Sequence, residues 1–454
     1  MTPPRRTSLA ALAAVLAGPG LLSLAAVSPA TAATTTVDTE AELRSAVARA
    51  NRADGQDVIR LGGSIDLRRQ LVVSDDLVLD GNGHTLRATS RDRILDVRPG
   101  TTLRVEDVTL RGGRAPEGES GGAIRGTEAT VRVVDARLVG NRAEGEGASG
   151  GAIMNDRGTL VVIDSRVLKN RAERAGGGIE ANEGTTRVDD TLLKGNRTGA
   201  APGNGGGLHL TGAGTVRVED SRVIGNRASA EGGGLWNSAT GEMTVTGTVL
   251  NRNVGSGAEA TNGGGALFND GGRMTVRGVS ATGNKAPGAA GSGGGLLNDQ
   301  GTVTVRDSVF TENTATRAGG AIETNLGTLT LVDVDMLRNR TGDAPGNGGG
   351  LHLTAEAQVT YDGGTVRGND ATAQGGGLWN SATGTLTVTD VTVRGNTAPE
   401  GAHVYNDGGT FTRDGEAVPS DNPDGGGDDG GLIPGLPGIP GLPEIPGLPD
   451  LPLP

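Results

Sequence analysis

The chain contains no cysteine, so no disulfide can hold it together, and its stability must rest on packing and hydrogen bonding. Aromatic residues are almost as scarce: two Trp, two Tyr and three Phe in 454 residues. A compact globule of this length would use many more large side chains to fill its core. Basic residues are outnumbered, 41 Lys and Arg against 53 Asp and Glu, for a formal charge of −12. No basic patch stands out along the sequence. That argues against nucleic acid as a partner, and against polyanionic glycans unless metal ions bridge them. Past the first 33 residues no apolar run is long enough to cross a bilayer, so no transmembrane segment is expected. What the sequence does have is 82 Gly, with abundant Val, Thr and Asn, which suits a thin, repetitive core.

The two ends differ from the middle. Residues 1–33 read as a secretory signal: Arg5 and Arg6 lead, an apolar stretch runs from Leu9 to about Val27, and Ala30-Thr31-Ala32 supplies small residues for cleavage. Its removal would take the formal charge from −12 to −14. The arginine pair hints at twin-arginine export, but Ser8 stands where that signal prefers a bulky apolar residue. The expected location is therefore extracellular or on the cell surface. Residues 414–454 comprise a Gly/Asp linker and a Pro-rich tail, whose apolar-Pro-Gly steps favour polyproline II.

Between the ends the chain is a repeat. A Gly-Gly-(Ala/Gly)-(Ile/Leu) element recurs every 26 to 32 residues, with its apolar residue at Ile124, Ile153, Ile179, Leu208 and Leu235, and again from Leu296 to Leu378. Each unit continues with an alternating strand, an Asp, a second alternating segment and an Asn. Those Asn run from Asn141 to Asn396. Short strands of period two, separated by turn residues at a fixed interval, predict one coil of a solenoid per unit. A longer period is superposed: landmarks from Ile124 to Asn253 return 143 residues later, so that Asn196–Thr211 reappears as Asn339–Thr354 with one change. Five coils are thus present twice, at about 124–266 and 267–409.

These motifs resemble the right-handed parallel β-helix repeats of the pectin-lyase-like superfamily, and most closely the form in polymorphic outer-membrane proteins, marked by GGAI and FxxN. GGAI stands unaltered at Gly121–Ile124, Gly150–Ile153 and Gly319–Ile322, and FxxN at Phe310–Asn313. The resemblance covers about residues 100–410. It implies an all-β fold, a right-handed parallel β-helix solenoid, here of about 12 coils across 34–413. Those outer-membrane proteins end in a barrel, for which this sequence offers no counterpart, so autotransport is not implied. A solenoid needs its first coil covered. Glu40–Asn51, with Leu43, Val47 and Ala50 on one side, reads as a short N-terminal capping helix.

Stacking turns equivalent residues into rows, and three rows bear on function. The Asn row reads as structural, its amides bonding along the stack. The Asp row, from Asp107 through Asp135 and Asp164 to Asp390, invites a calcium reading. Gly takes its place at 247, 278 and 363, however, and single carboxylates in a row lack the oxygen cage calcium requires. A turn role is preferred, and no cofactor is expected. The third row follows each inward Ile or Leu and, by alternation, points outward. It contains Glu180, His209 and Trp236 on successive coils, and Glu323, His352 and Trp379 one block later. An acid, an imidazole and an exposed indole on one face suit a sugar ring, so these six residues are the candidate ligand-binding site. The competing reading is that loops cover this row and make it core.

Relatives of this fold include polysaccharide lyases and hydrolases, whose chemistry needs paired carboxylates or calcium with a basic residue. Here Gly-His-Gly and Arg-Ile-Lys do not occur, and the Asp-Asp pairs fall in the turn row (Asp189-Asp190), the linker (Asp428-Asp429) and the irregular opening coils (Asp75-Asp76). The expected function is a secreted or cell-surface binding or adhesion protein for a glycan or protein ligand. A polysaccharide lyase or hydrolase is the second reading, and a structural surface rod the third.

Overall fold

A computed structural model describes residues 34–419 apart from Asp54 and Ala201. The expected signal segment at 1–33 lies outside the described residues, as does everything from 420 onward. The chain winds as an all-β parallel solenoid of about 14 turns. That is slightly more than the expected 12 or so; the opening turns, such as Asp57–Leu61 and Leu77–Asp80, pair in register without the Gly-Gly and Asn landmarks. At the roughly 4.8 Å step of paired strands, the rod is about 65 Å long.

Each regular coil carries four strand positions. The first begins at the apolar residue of the Gly-Gly element, as in Ile124–Thr127 and Ile153–Asp156. The second is Thr130–Val134 and its equivalents, and the third Arg137–Val139 and its equivalents. The fourth is a two-residue strand just after the Asn, such as Arg142–Ala143. Each stacks in parallel on the same position of the next coil, forming four columns. The core is a set of rows inside the coil. Ile124, Ile153, Ile179, Leu208 and Leu235 are consecutive partners, all fully buried. Aliphatic residues of this size fill a thin coil with few aromatics, which accounts for the composition.

The corner residues have local causes. Gly150, first of its pair, adopts a left-handed φ of 64°. At the second, Gly151, a Cβ would lie 2.2 Å from the carbonyl oxygen of Gly177 on the next coil, so no side chain fits. The Asp row occupies left-handed turns as well: Asp107, Asp135, Asp164, Asp190 and Asp220 have φ between 41° and 51°, and Gly247 and Gly278 take the same place at 58° and 60°. Asp and Gly interchange because both tolerate this backbone.

The Asn row is a continuous ladder. Asn226 Oδ1 accepts from the backbone N–H of Asn196 at 2.9 Å and from Asn196 Nδ2 at 3.0 Å. Asn226 Nδ2 in turn donates to Asn253 Oδ1 and to the Leu193 carbonyl, each at 3.0 Å. These amides are fully buried and every one of them is satisfied along the stack.

Both ends of the rod are closed. The helix spans Glu40–Ala50 and buries Leu43, Ala46, Val47 and Ala50 against the first coil, as the sequence pattern predicts. Thr39 caps it: its side chain accepts from Glu42 N–H, while the Glu42 side chain bonds back to the Thr39 backbone. At the other end Thr410–Arg413 folds back on Glu416–Ala417 as the one antiparallel pair among the described strands. This hairpin lays Val418 against the core and blunts the last edge.

Candidate functional site

The expected outward row forms as a straight line. Glu180 pairs in register with His209, His209 with Trp236, and Trp236 with Phe268. The second copy pairs Glu323 with His352, His352 with Trp379, and Trp379 with Tyr405. Exposure is where the structure departs from expectation. Glu180, His209 and Trp236 are 1%, 3% and 7% exposed, and Glu323, His352 and Trp379 are 1%, 3% and 8%. An open indole platform is therefore not what this row provides. The connections between each Asn and the next Gly-Gly fold over it: Glu231 of one loop accepts from Trp236 Nε1 at 3.0 Å, and Asn262 of the next donates to Glu231 at 2.5 Å. Trp236, Phe268 and Leu297 form a small outer core of their own. Alternation decided the side of the sheet correctly, but it carries no information about what lies on top.

Within this layer each copy is a compact polar cluster. His209 Nδ1 lies 3.1 Å from Glu180 Oε1, and Thr211 Oγ1 donates to the same oxygen at 2.6 Å. In the second copy His352 Nδ1 is 2.7 Å from Glu323 Oε2, with Thr354 Oγ1 donating to Oε1 at 2.5 Å. A loop arginine closes each cluster, Arg174 at 3.7 Å from Glu180 and Arg317 at 3.3 Å from Glu323. Burial pushes both carboxyls up. The adjacent histidine, the hydrogen bonds and the arginine outweigh it, so both stay below the ordinary glutamate value.

Two features of the surface were not anticipated. Asp270 and Asp299, two positions beyond the buried row, are register partners on adjacent coils. Burial raises the Asp270 carboxyl and the Asp299 charge raises it further, with His209 drawing it part of the way back. Burial likewise raises Asp299, against hydrogen bonds from Asn325 and Gln300, and the Glu323 charge adds to the rise. Nearby Glu231 is raised by burial too. Their shared position was available from the stacked rows of the sequence; that Asp270 is half-buried and Asp299 buried was not.

The second feature corrects the expectation that the chain lacks a basic patch. The residue after the Asn of successive coils is Arg142, Arg171, Arg197 and Arg227, and these pair in register, with Arg114 joined ahead of them by a bridge to Arg142. On the third column Arg137 and Arg166 are neighbours and Arg222 lies two coils further on. The charges lie 26 to 30 residues apart in the chain, so no linear window shows them as a patch. Stacking brings the backbone positions of register partners within about 5 Å of each other, and Glu144 pairs with Arg114 and Arg142 and Glu173 with Arg171. The signal available in the sequence was the recurring Asn-Arg dipeptide.

This construction is that of a right-handed parallel β-helix with rows of like residues along its axis. Residues 123–310 match the family described as the right handed beta helix region. Residues 307–325 match the Chlamydia polymorphic membrane protein repeat, at the place where FxxN and GGAI stand unaltered together. The chain is thus a right-handed parallel β-helix, with a match to the polymorphic-membrane-protein repeat within it. Among solved structures it is similar to the A-module of the mannuronan C-5 epimerase AlgE4 of Azotobacter vinelandii, at 13% identity over 83% of this chain and 96% of that one, TM-score 0.43. It is also similar to the Dettilon tailspike protein, at 12% identity, 80% and 67% coverage and TM-score 0.30. The receptor-binding tailspike of bacteriophage Det7 is similar at 10% identity, 83% and 72% coverage and TM-score 0.26. Likenesses this loose say nothing about ligand or chemistry. No curated protein matches the chain.

Proposed function

We propose that this chain is a secreted or cell-surface binding rod that takes an extended carbohydrate along its axis. The observation that carries this reading is the periodicity of the surface. Outward positions repeat in register coil after coil, as in the hydroxyl row from Thr244 through Thr275, Thr304, Thr330, Thr360 and Thr387 to Thr412. A polymer whose repeat is close to one coil step meets the same contact at each unit, and weak contacts then add as linked sites do. In this reading Glu180, His209, Trp236 and their copies Glu323, His352 and Trp379 contribute from below, bracing the loops that edge the surface. A glycan array probed with the purified protein, followed by titration against oligomers of increasing length, tests the reading. Affinity that grows with length supports it, and no binding to any glycan sinks it.

Asp270 and Asp299 favour a second reading. Two raised carboxyls side by side can hold one proton between them, which is a general acid–base arrangement. Incubation of the protein with the polysaccharide it binds, with and without Asp270→Asn, decides between the two. Shortened or unsaturated products that disappear in the variant would make the chain a lyase or hydrolase.

A further inference from the structure

We infer that the edge where the third strand column turns into the fourth, in the first block, is a docking surface for an anionic phospholipid bilayer, on which the rod lies lengthwise. The two blocks of the chain supply the observation that carries this. In the first, the edge is made of residues 137–142, 166–171, 192–197 and 222–227, which together hold nine cations and no carboxylate. One block later the same positions are 280–285, 309–314, 335–340 and 365–370, with four cations and three carboxylates. Both blocks build the same coil and the same Asn ladder, as Asn196 with Asn226 and Asn339 with Asn369 show. Neither the packing nor the turn at this corner therefore requires the charge.

Aliphatic residues follow the same division. Between the cations on either side of the corner, the outward position holds Val139, Leu168 and Ile224, each partly exposed, where the second block has Thr282, Thr311 and Arg367. Leu337, opposite Lys194, is the one exchange in the other direction. The charges are available as well. Glu144 engages Arg142 and Glu173 engages Arg171, while Arg137, Arg166, Arg222 and Arg227 are exposed and form no ion pair among the described residues.

An anionic interface uses both features. Lipid phosphates meet the guanidinium and ammonium groups, and the aliphatic side chains enter the boundary between headgroups and acyl chains. A dissolved polyanion would use the charges alone. Because the coils stack in register, the edge is straight over about 15 Å, so all four segments reach one plane together. The Asp row, at Asp135, Asp164, Asp190 and Asp220, stands one strand back from the corner, at the other end of the third column. The chain as a whole carries −12, and an anionic bilayer repels the rest of it, so the edge also sets which side faces the lipid. This contact goes beyond the carbohydrate reading and does not depend on it, since it makes no use of the Thr row on the second column.

The test is co-sedimentation of residues 34–454 with vesicles of equal parts phosphatidylglycerol and phosphatidylcholine, beside vesicles of phosphatidylcholine alone. Starting at residue 34 removes the apolar stretch from Leu9 to Val27, which is able to bind lipid by itself. Binding should require phosphatidylglycerol and weaken as salt rises. Arg137→Ser/Arg222→Thr, which takes the residues that the second block has at these positions, should bind about ten-fold or more weakly. Arg217→Gln/Arg273→Gln on the second column removes the same charge and should bind as the parent does. Val139→Thr/Leu168→Thr, again second-block residues, should lower the affinity that remains at raised salt. No binding to the mixed vesicles, equal binding to phosphatidylcholine alone, or equal losses in the two arginine variants overturns the inference. So does soluble polyphosphate or polygalacturonate that strips the protein from the vesicles while Val139→Thr/Leu168→Thr changes nothing, the result expected of a site for a dissolved polyanion. Melting temperatures equal to the parent's in all three variants confirm that binding alone is being read.

Discussion

The imidazole of His209 lies flat on the indole of Trp236, with ring centroids 4.2 Å apart and planes inclined by 14°, and His352 lies on Trp379 with the same spacing and 15°. The duplicated block has therefore kept a three-dimensional arrangement and not only a sequence. Each stack continues to a third ring, Phe268 at 6.2 Å and Tyr405 at 6.4 Å. Most of the few aromatic residues of the chain are spent on these two stacks beneath the loops, and few on the main core.

Because this layer is covered, Trp236→Ala should behave as a core truncation. The expected loss is about 3–5 kcal/mol of stability, measured by denaturant unfolding. The native protein should show blue-shifted tryptophan emission that acrylamide quenches weakly. Strong quenching in the folded state, or a near-neutral substitution, would mean that the row is open to solvent.

Acid should weaken the two clusters. Glu180 and Glu323 are held below the ordinary value of 4.5, so in the folded state their ionised forms are favoured. Their contribution is complete above that value and is lost as the pH falls through the lower folded-state value. The melting temperature of the parent should drop below pH 4.5 more steeply than that of Glu180→Gln/Glu323→Gln. Parallel curves would show that the carboxylates are not stabilising.

Asp270 has the opposite sign. Its folded-state proton affinity is raised above the ordinary 3.8, so its ionisation on raising the pH opposes folding. Asp270→Asn should melt higher than the parent at neutral pH, and the gap should close below 3.8, where the parent is protonated in both states. A variant that melts lower at neutral pH would contradict the repulsion between Asp270 and Asp299.

Breaking one rung of the Asn ladder should be costly. In Asn226→Ala, the amide groups of Asn196 and the Oδ1 of Asn253 lose buried partners. The expected cost is about 3 kcal/mol, seen as a lower urea midpoint. In a solenoid each coil contacts only its neighbours, so amide exchange should quicken most in the coils on either side. Uniform exchange along the rod would argue against that local coupling.

The sequence by itself determined the coil. Gly150 and Gly151, the Asp and Asn rows and the alternating strands each have one local solution, and a fixed interval makes every coil repeat it. The capping helix was legible for the same reason, since Leu43, Val47 and Ala50 recur at helical spacing. Alternation also placed Glu180, His209 and Trp236 on one line outside the main core. Whether that line is open depends on where the loops carrying Glu231 and Asn262 settle, and loop paths follow from packing and not from a period. The surface charge was hidden for a related reason. A chain of net −12 reads as acidic from end to end, yet register brings together arginines a full coil apart. Proximity across coils is a property of the stack, and only the folded rod decides which side chains become neighbours.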